Sequence, residues 1–239
     1  MYDSERGCVR GVEVDPHVEV MEIPKKRRGT FIALEGIEGA GKSTQVKLLQ
    51  KTISERWGEC LATREPGGSP YAEEIRRTIM SEEYGRSASA YTMFELFWAA
   101  RTDHIENTIR PALLRGAHVI TDRFDGTTFS HQIHGQECPE LDELFFLKRD
   151  VYMADICPDM YIFLDMDPEV GLQRIAVRKG EPLNHFDKRD LDFHMRVREG
   201  CKQFAALSLG KSVLINANQP VQGVHDDIIK RLEMSFLFS

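Results

Sequence analysis

Residues 31–44 read Phe-Ile-Ala-Leu-Glu-Gly-Ile-Glu-Gly-Ala-Gly-Lys-Ser-Thr. Within this stretch, Gly36 through Ser43 fit G-x-x-x-x-G-K-[ST], a pattern that average residue usage produces by chance in a chain this long on the order of 1% of the time. Its surroundings sharpen it. The apolar run Phe31–Leu34 predicts a buried strand, and the stretch after it spaces Val46, Leu49 and Ile53 on one helical face, so the motif sits between strand and helix as it must. Gly36, Gly39 and Gly41 let backbone N–H groups turn inward around phosphate oxygens, at the positive end of the helix that follows. Lys42, expected as an exposed loop lysine, reaches the β- and γ-phosphates, and the Ser43 hydroxyl ligates Mg²⁺ carried with ATP. Glu38, Ala40 and Thr44 complete the ATP-binding segment. The loop by itself establishes nucleotide binding without a reaction, and no N-K-x-D sequence is present to read guanine.

Working outward, short apolar runs alternate with amphipathic stretches. Candidate strands are Phe31–Leu34, Leu61–Thr63, His118–Thr121, Met160–Leu164 and Val213–Ile215. The last helix places Val221, Val224, Ile228 and Leu232 on one face, with Asn218 and Pro220 marking its start. Asp167-Pro168 reads as a helix N-cap and first turn. This alternation predicts a five-stranded parallel sheet covered on both sides, a three-layer α/β/α domain with its site at the C-terminal ends of the strands. A long helix is expected from about Ser87 to Arg115, interrupted near Pro111. Its middle, Met93 to Ala100, is apolar almost all round, which suits a helix buried on several sides, by its own core or by a second subunit.

Residues 1–28 are polar and end in the basic cluster Lys25–Arg28, read as a solvated tail. The alternation at Val12–Asp15 and Val18–Val20 fits either a short edge strand or disorder, and Met21 is an alternative start. The domain is taken as residues 29–239.

The chain of 239 residues carries 31 Lys and Arg against 38 Asp and Glu, a formal net charge of −7. That balance argues against a duplex-binding face. Five cysteines, odd in number and without a C-x-x-C pair, read as reduced thiols in the cytoplasm. Apolar runs such as Tyr161–Leu164 fall far short of the ~20 residues that span a bilayer, and Asp3, Glu5 and Arg6 stand where a signal peptide needs an apolar stretch.

Beyond the phosphate loop, TREPGG (63–68), EEIR (73–76), FWAAR (97–101), DRFDGTTFSHQ (122–132) and LDMDPEVGLQR (164–174) follow in order. Together with residues 31–44 they resemble the bacterial thymidylate kinase family from about residue 29 to the C-terminus. The resemblance implies phosphoryl transfer from Mg-ATP to dTMP by a homodimer. It implies that Phe97 stacks on thymine while Arg101, one helical turn on, hydrogen-bonds its O4 edge. Arg76 and Arg123 match the clamps on the monophosphate, where a planar guanidinium bonds phosphate oxygens in pairs. Asp122 holds Mg²⁺ through water, Glu38 accepts from the sugar 3′-hydroxyl, and Thr128 and Gln132 lie near the base. Arg174, Arg178 and Lys179 fit a basic lid at about 174–187.

This chain departs from the family in three places. Ala176 replaces the middle arginine of R-x-R-x-R-G, with Lys179 displaced relative to the glycine. His131 stands where tyrosine is usual. Asn184-His185-Phe186-Asp187 is a loose match to D-R-[IF]-E. Two other readings remain: a kinase of the same fold with another acceptor, and a nucleotide-binding regulator without turnover.

Overall fold

A computed structural model describes residues 28–177, 185–207, 211–235 and 237–238. Five strands form one parallel sheet: β1 (Phe31–Gly36), β2 (Cys60–Arg64), β3 (His118–Asp122), β4 (Met160–Asp165) and β5 (Ser212–Asn216), in the order β2-β3-β1-β4-β5. Each expected strand is present, longer by one or two residues. All six residues of β1 are buried, the pattern of a central parallel strand covered on both faces. Register aligns Leu34 with Asp122 and Gly36 with Leu164. The C-terminal ends of β1, β3 and β4 therefore come out side by side, and the strand order runs in opposite directions on the two sides of β1, where such folds open a crevice.

The helices are α1 (Lys42–Arg56), α2 (Pro70–Met80), α3 (Tyr84–Ser87), α4 (Ala90–His104), α5 (Arg110–Leu114), α6 (Asp125–Thr127), α7 (Asp142–Met153), α8 (Pro168–Ala176), α9 (Leu191–Leu207) and α10 (Val221–Met234). α1 buries Val46, Leu49 and Ile53 as its spacing predicts. In α10, Val224, Ile228 and Leu232 are buried, but Val221 is exposed. It occupies the first turn and serves through its backbone, its carbonyl accepting from Gln45 Nε2 at 2.8 Å. Asp167 caps α8 as expected, accepting from Glu169 N at 2.9 Å.

The long helix expected from about Ser87 to Arg115, interrupted near Pro111, is corrected at its start: the helical run begins at Ala90 and continues to Leu114, with the interruption taken up by a π-helical turn. Ser87 ends α3, and α4 starts after Ser89, whose side chain accepts from Thr92 N at 3.1 Å. A π-helical turn, Ile105–Ile109, then separates α4 from α5. Its cause is Pro111, which has no N–H to donate and whose ring crowds the carbonyl four residues back, so the turn before it widens. The apolar middle of α4 is covered by its own chain. Phe94 and Trp98 join the main core, while Met93 and Phe97 meet Ile79 and Phe186 in a smaller cluster.

Arg28, expected in a solvated tail, is instead docked. Its guanidinium donates to both oxygens of Asp159 at 2.9 and 2.7 Å, and Asp159 also accepts from Phe31 N at 2.8 Å. This pair closes the N-terminal ends of β1 and β4, opposite the crevice.

Candidate active site

The phosphate loop leaves β1 through backbone that only glycine adopts easily, and its glycines serve for different reasons. Gly39 has φ +75°, and a Cβ there would lie 2.3 Å from the Gly171 carbonyl oxygen at the start of α8. Gly41 is the N-cap of α1, with φ +92° and ψ +14° and its carbonyl accepting from Gln45 N at 3.0 Å. A Cβ on Gly41 would meet nothing within 4 Å, so the left-handed backbone and not crowding calls for glycine there. Unlike the Ser, Thr, Asp or Asn that usually cap a helix, Gly41 brings no side chain to the first N–H groups of α1, which stay open to a phosphate.

Lys42 does not project into solvent, contrary to the sequence expectation. It is buried, and its ammonium donates to the Gly36 and Ile37 carbonyls at 3.0 and 2.7 Å. Its side chain leaves the helix start and folds under the loop. Burial, helped by the nearby Arg123 charge, pushes its pKa down to about 8. The Ser43 hydroxyl donates to Asp122 Oδ2 at 2.6 Å. These are the two hard oxygen groups suited to an Mg²⁺ ion that keeps waters and phosphate oxygens as its other ligands. Thr44 is exposed beside them and Ala40 is buried in the loop.

Directly after β3, Arg123 adopts φ +73°, uncommon for a residue with a side chain. Glu35 holds the turn from below. This fully buried carboxyl accepts from Phe124 N at 3.0 Å and from Thr127 Oγ1 at 2.6 Å. Burial pushes its pKa up to about 7. So held, Arg123 donates to Glu38 Oε1 at 2.8 Å and to the Gly36 carbonyl at 3.2 Å.

Around Glu38 the charges are dense. Burial works against its ionised form, but His131 and Arg123 beside it outweigh that and hold its pKa well below the usual range. His131 Nε2 donates to Glu38 Oε1 at 3.0 Å, since a carboxylate only accepts, and its Nδ1 then accepts from Ser130 Oγ at 3.1 Å. Burial pushes the His131 pKa down. The neighbouring Phe129 turns away into the core against Phe145 and Phe204. His131, and not Phe129, therefore faces the phosphate-loop acid.

The second half of the site centres on Arg101, a guanidinium with 1% exposure. Its Nε donates to Glu65 Oε2 at 2.9 Å, and its Nη2 donates to the Phe124 carbonyl and Thr128 Oγ1 at 3.0 and 2.9 Å. Among the described residues its Nη1 is buried without a partner, as are both amide atoms of Gln132. Glu65 is shared: His104 Nδ1 donates to its Oε1 at 3.1 Å, leaving His104 Nε2 to accept from Thr63 Oγ1 at 2.8 Å. Phe97 is buried beside this group and packs at a steep angle on Phe186, with ring centroids 6.2 Å apart.

Arg76, on α2, donates to the Pro66 carbonyl at 2.7 Å; burial, with Arg64 nearby, pushes its pKa down. An anion between Arg76 and Arg123 would relieve that crowding of positive charge. Arg174 is exposed and makes one long contact to the Ala217 carbonyl at 3.4 Å. Arg178 and Lys179 lie outside the described residues. At the far end of the expected lid, His185 Nε2 donates to the Ile79 carbonyl at 2.8 Å, tying residues 185–187 to α2.

The structure thus brings together Glu38, Gly41, Lys42, Ser43, Asp122, Arg123 and His131 on the loop side. On the other side Arg101 meets Thr128, with Phe97 one turn before Arg101 on α4 and the buried Gln132 four residues after Thr128. Sequence reasoning missed Glu35, Glu65, His104 and His194. Glu35 had a signal: a carboxyl within an otherwise apolar buried strand must find partners. Glu65 lay inside TREPGG, but the need for a counter-charge to Arg101 became visible only in three dimensions.

A sequence profile of the family described as "Thymidylate kinase" matches residues 34–228. Among similar proteins, a thymidylate kinase of Rhodopseudomonas palustris (strain BisB18) is 40% identical over 214 residues, 89% of this chain and 92% of the relative. One of Bacillus cereus (strain Q1) is 36% identical over 210 residues, 88% of this chain and the whole of the relative. The crystal structure of thymidylate kinase from Ehrlichia chaffeensis superposes with a TM-score of 0.69 at 28% identity, covering 87% of this chain and 99% of that one.

Proposed function

Since the chain belongs to the thymidylate kinase family, we propose how its own residues divide the work of moving a phosphoryl group from ATP to dTMP. The family phosphorylates dTMP to dTDP in dTTP synthesis, and this chain is such an ATP-using transferase.

The residue assignment rests on one observation. Nine buried side-chain polar atoms lack a hydrogen-bond partner among the described residues, and five of them belong to Glu38, Arg101, Gln132 and His194. Buried polar groups are ordinarily satisfied, so such a concentration marks a template waiting for a polar ligand. Its pattern fits dTMP. Arg101 Nη1 offers donors to a base carbonyl, Gln132 offers a donor and an acceptor to the carbonyl and N–H edge of thymine, and Glu38 Oε2 offers an acceptor to a sugar hydroxyl. Phe97 supplies the stacking face. Arg76 and Arg123 hold the monophosphate, with Arg123 bridging that phosphate and Glu38.

On the donor side, Gly36 to Thr44 wrap the ATP phosphates, and Lys42 exchanges two loop carbonyls for phosphate oxygens. Mg²⁺, carried at Ser43 and Asp122, neutralises phosphate charge when bound. Arg174 with Arg178 and Lys179 adds positive charge from a lid at about 174–187. Phosphoryl transfer needs alignment and charge neutralisation more than proton chemistry, and this set supplies both.

The test is dTDP formation with a panel of acceptors. Preference for dTMP supports the assignment; preference for a nucleoside or another monophosphate would overturn it.

Residues 1–28 form an extension outside the catalytic domain 29–239. The Arg28–Asp159 pair lies at the end of the sheet away from the site, so starting the chain at Gly29 costs stability and leaves turnover. The enzyme works in the cytoplasm without nucleic-acid or membrane partners; no described helix is long and apolar enough to cross a membrane. It acts as a homodimer. With the middle of α4 buried in its own chain, the partner surface is the outer face of α4 and α7. There Tyr91, Leu147, Val151 and Tyr152 are 53%, 54%, 64% and 40% exposed, and Lys148 ties the two helices by donating to Glu95 at 2.8 Å. A subunit interface of roughly 2,000 Å² is expected there. Sedimentation at micromolar concentration showing only single chains would rule the dimer out.

A further inference from the structure

His194 belongs to none of the motifs described above, yet it ends beside the phosphate loop. It lies on the buried stripe of α9 with Val197, Gly200 and Cys201. That stripe packs on residues 128–135 at a distance glycine makes possible. A Cβ on Gly200 would sit 2.9 Å from Ser130 Cα, and one on Gly135 would sit 2.7 Å from the Phe193 ring. The close approach carries two imidazoles to one carboxylate. His131 takes Glu38 Oε1, already shared with Arg123. His194 Nδ1 stands 3.4 Å from the other oxygen, Oε2.

Both groups are left incomplete. Among the described residues, Glu38 Oε2 and His194 Nε2 have no hydrogen-bond partner, although His194 is 1% exposed. A histidine buried only for packing would be expected to find partners for both nitrogens. The spacing instead suits a pair that tightens around a third group. A carboxylate accepts only, so the nitrogen facing it carries the proton, and Oε2 retains a free lone pair beside the His194 N–H.

We propose that His194 is a positioning residue for the acceptor sugar, fixing the Glu38 carboxylate so that Oε2 meets the 3′-hydroxyl. Arg123 and His131 pin one oxygen of Glu38, and His194 fixes the rotation that aims the other. Oε1 is thereby held before the nucleotide arrives, and the His194 contact to Oε2 closes with it. This rests on the reading of Glu38 as the hydroxyl acceptor.

The experiment compares kcat/KM for dTMP and its 3′-deoxy analogue in wild type, His194→Leu and His194→Asn. Wild type is expected to prefer dTMP. His194→Leu should lower that preference at least fivefold, whereas His194→Asn, whose amide nitrogen replaces Nδ1, should keep it within twofold. An unchanged preference in His194→Leu, or equal loss in both variants, would overturn the role of His194. If wild type shows no preference, the reading of Glu38 itself fails. Should the leucine variant not fold, ¹⁵N spectra of the wild-type imidazoles decide. His194 should shift on saturation with dTMP and not with the 3′-deoxy analogue; no shift with either, or equal shifts with both, defeats the proposal.

Discussion

Replacing Glu65 by leucine removes the only carboxylate in contact with Arg101 among its described partners. The two side chains are 3% and 1% exposed, so solvent cannot take over. Taking one partner from a buried ion pair typically costs about 3–5 kcal/mol, because the other charge is left uncompensated. Arg101 would keep the Phe124 carbonyl and Thr128 hydroxyl, and its guanidinium lies 4.7 Å from the Trp98 ring centroid and 5.3 Å from that of Phe124. Those contacts place the expected loss near the lower end, about 3 kcal/mol. For a chain of this size, that lowers Tm by roughly 6–12 °C. His104 loses its acceptor as well, so the Thr63 contact loosens too. Function should follow stability: a guanidinium freed from Glu65 no longer aims Nη1, and kcat/KM for dTMP should fall at least tenfold (about 1.4 kcal/mol). The assay pairs urea unfolding with steady-state kinetics on Glu65→Leu, Arg101→Leu and the double variant. Because the penalty comes from an orphaned charge, the double variant should be no less stable than Glu65→Leu, a coupling of at least about 1.5 kcal/mol. Strict additivity, or a Glu65→Leu variant within about 1 kcal/mol of wild type, would refute the reasoning.

Lys42→Ala should abolish phosphoryl transfer and, by losing donors to two loop carbonyls, reduce stability by about 1–2 kcal/mol; near-normal turnover in the folded variant would remove the assigned role. With its folded pKa lowered to about 8, Lys42 is partly neutral above that pH, and ATP phosphates should restore its proton, so calorimetry near pH 8.5 in buffers of different ionisation enthalpy should show proton uptake absent from the variant. Glu35 is the opposite case: a pKa raised from 4.5 to about 7 means its contribution is fully present below pH 4.5 and is lost as pH rises through 7. Glu35→Gln should therefore gain on wild type across that window, by about 3 kcal/mol at its upper end, and a pH-independent difference in urea unfolding would contradict this. His131→Tyr should sharpen discrimination between the deoxy and ribo forms of thymidine monophosphate by about 1–3 kcal/mol, imidazole being smaller than phenol and its nitrogens turned to Glu38 and Ser130. Equal kcat/KM ratios in the two proteins would show that position 131 does not set sugar choice.

What the sequence determined by itself was local. Residues 31–44 specify strand, glycine turn and helix start within one stretch, because backbone conformation there depends on near neighbours. Gly41 is legible in this way, since its left-handed φ is a property of the turn and not of anything packed against it. All five strands were legible as apolar runs, whereas Phe97 and Arg101 were singled out by the family resemblance and only their one-turn spacing by the sequence itself. Continuous apolar runs and the 3.6-residue spacing of helices survive without knowledge of the partner surface. The tertiary structure decided which groups were buried together. Lys42 reads as a loop lysine until the loop carbonyls close over it, and Arg28 reads as a tail residue until Asp159 stands opposite. The break before Pro111 could be expected from that residue, but its place at 105–109 depended on how the turn widened. Glu65 meets Arg101, and His194 meets Glu38, only because a parallel sheet delivers distant strand ends to one crevice and a glycine stripe lets α9 approach it. The energy of those meetings comes from removing charge from water, a property of the assembled interior that no short stretch of chain encodes.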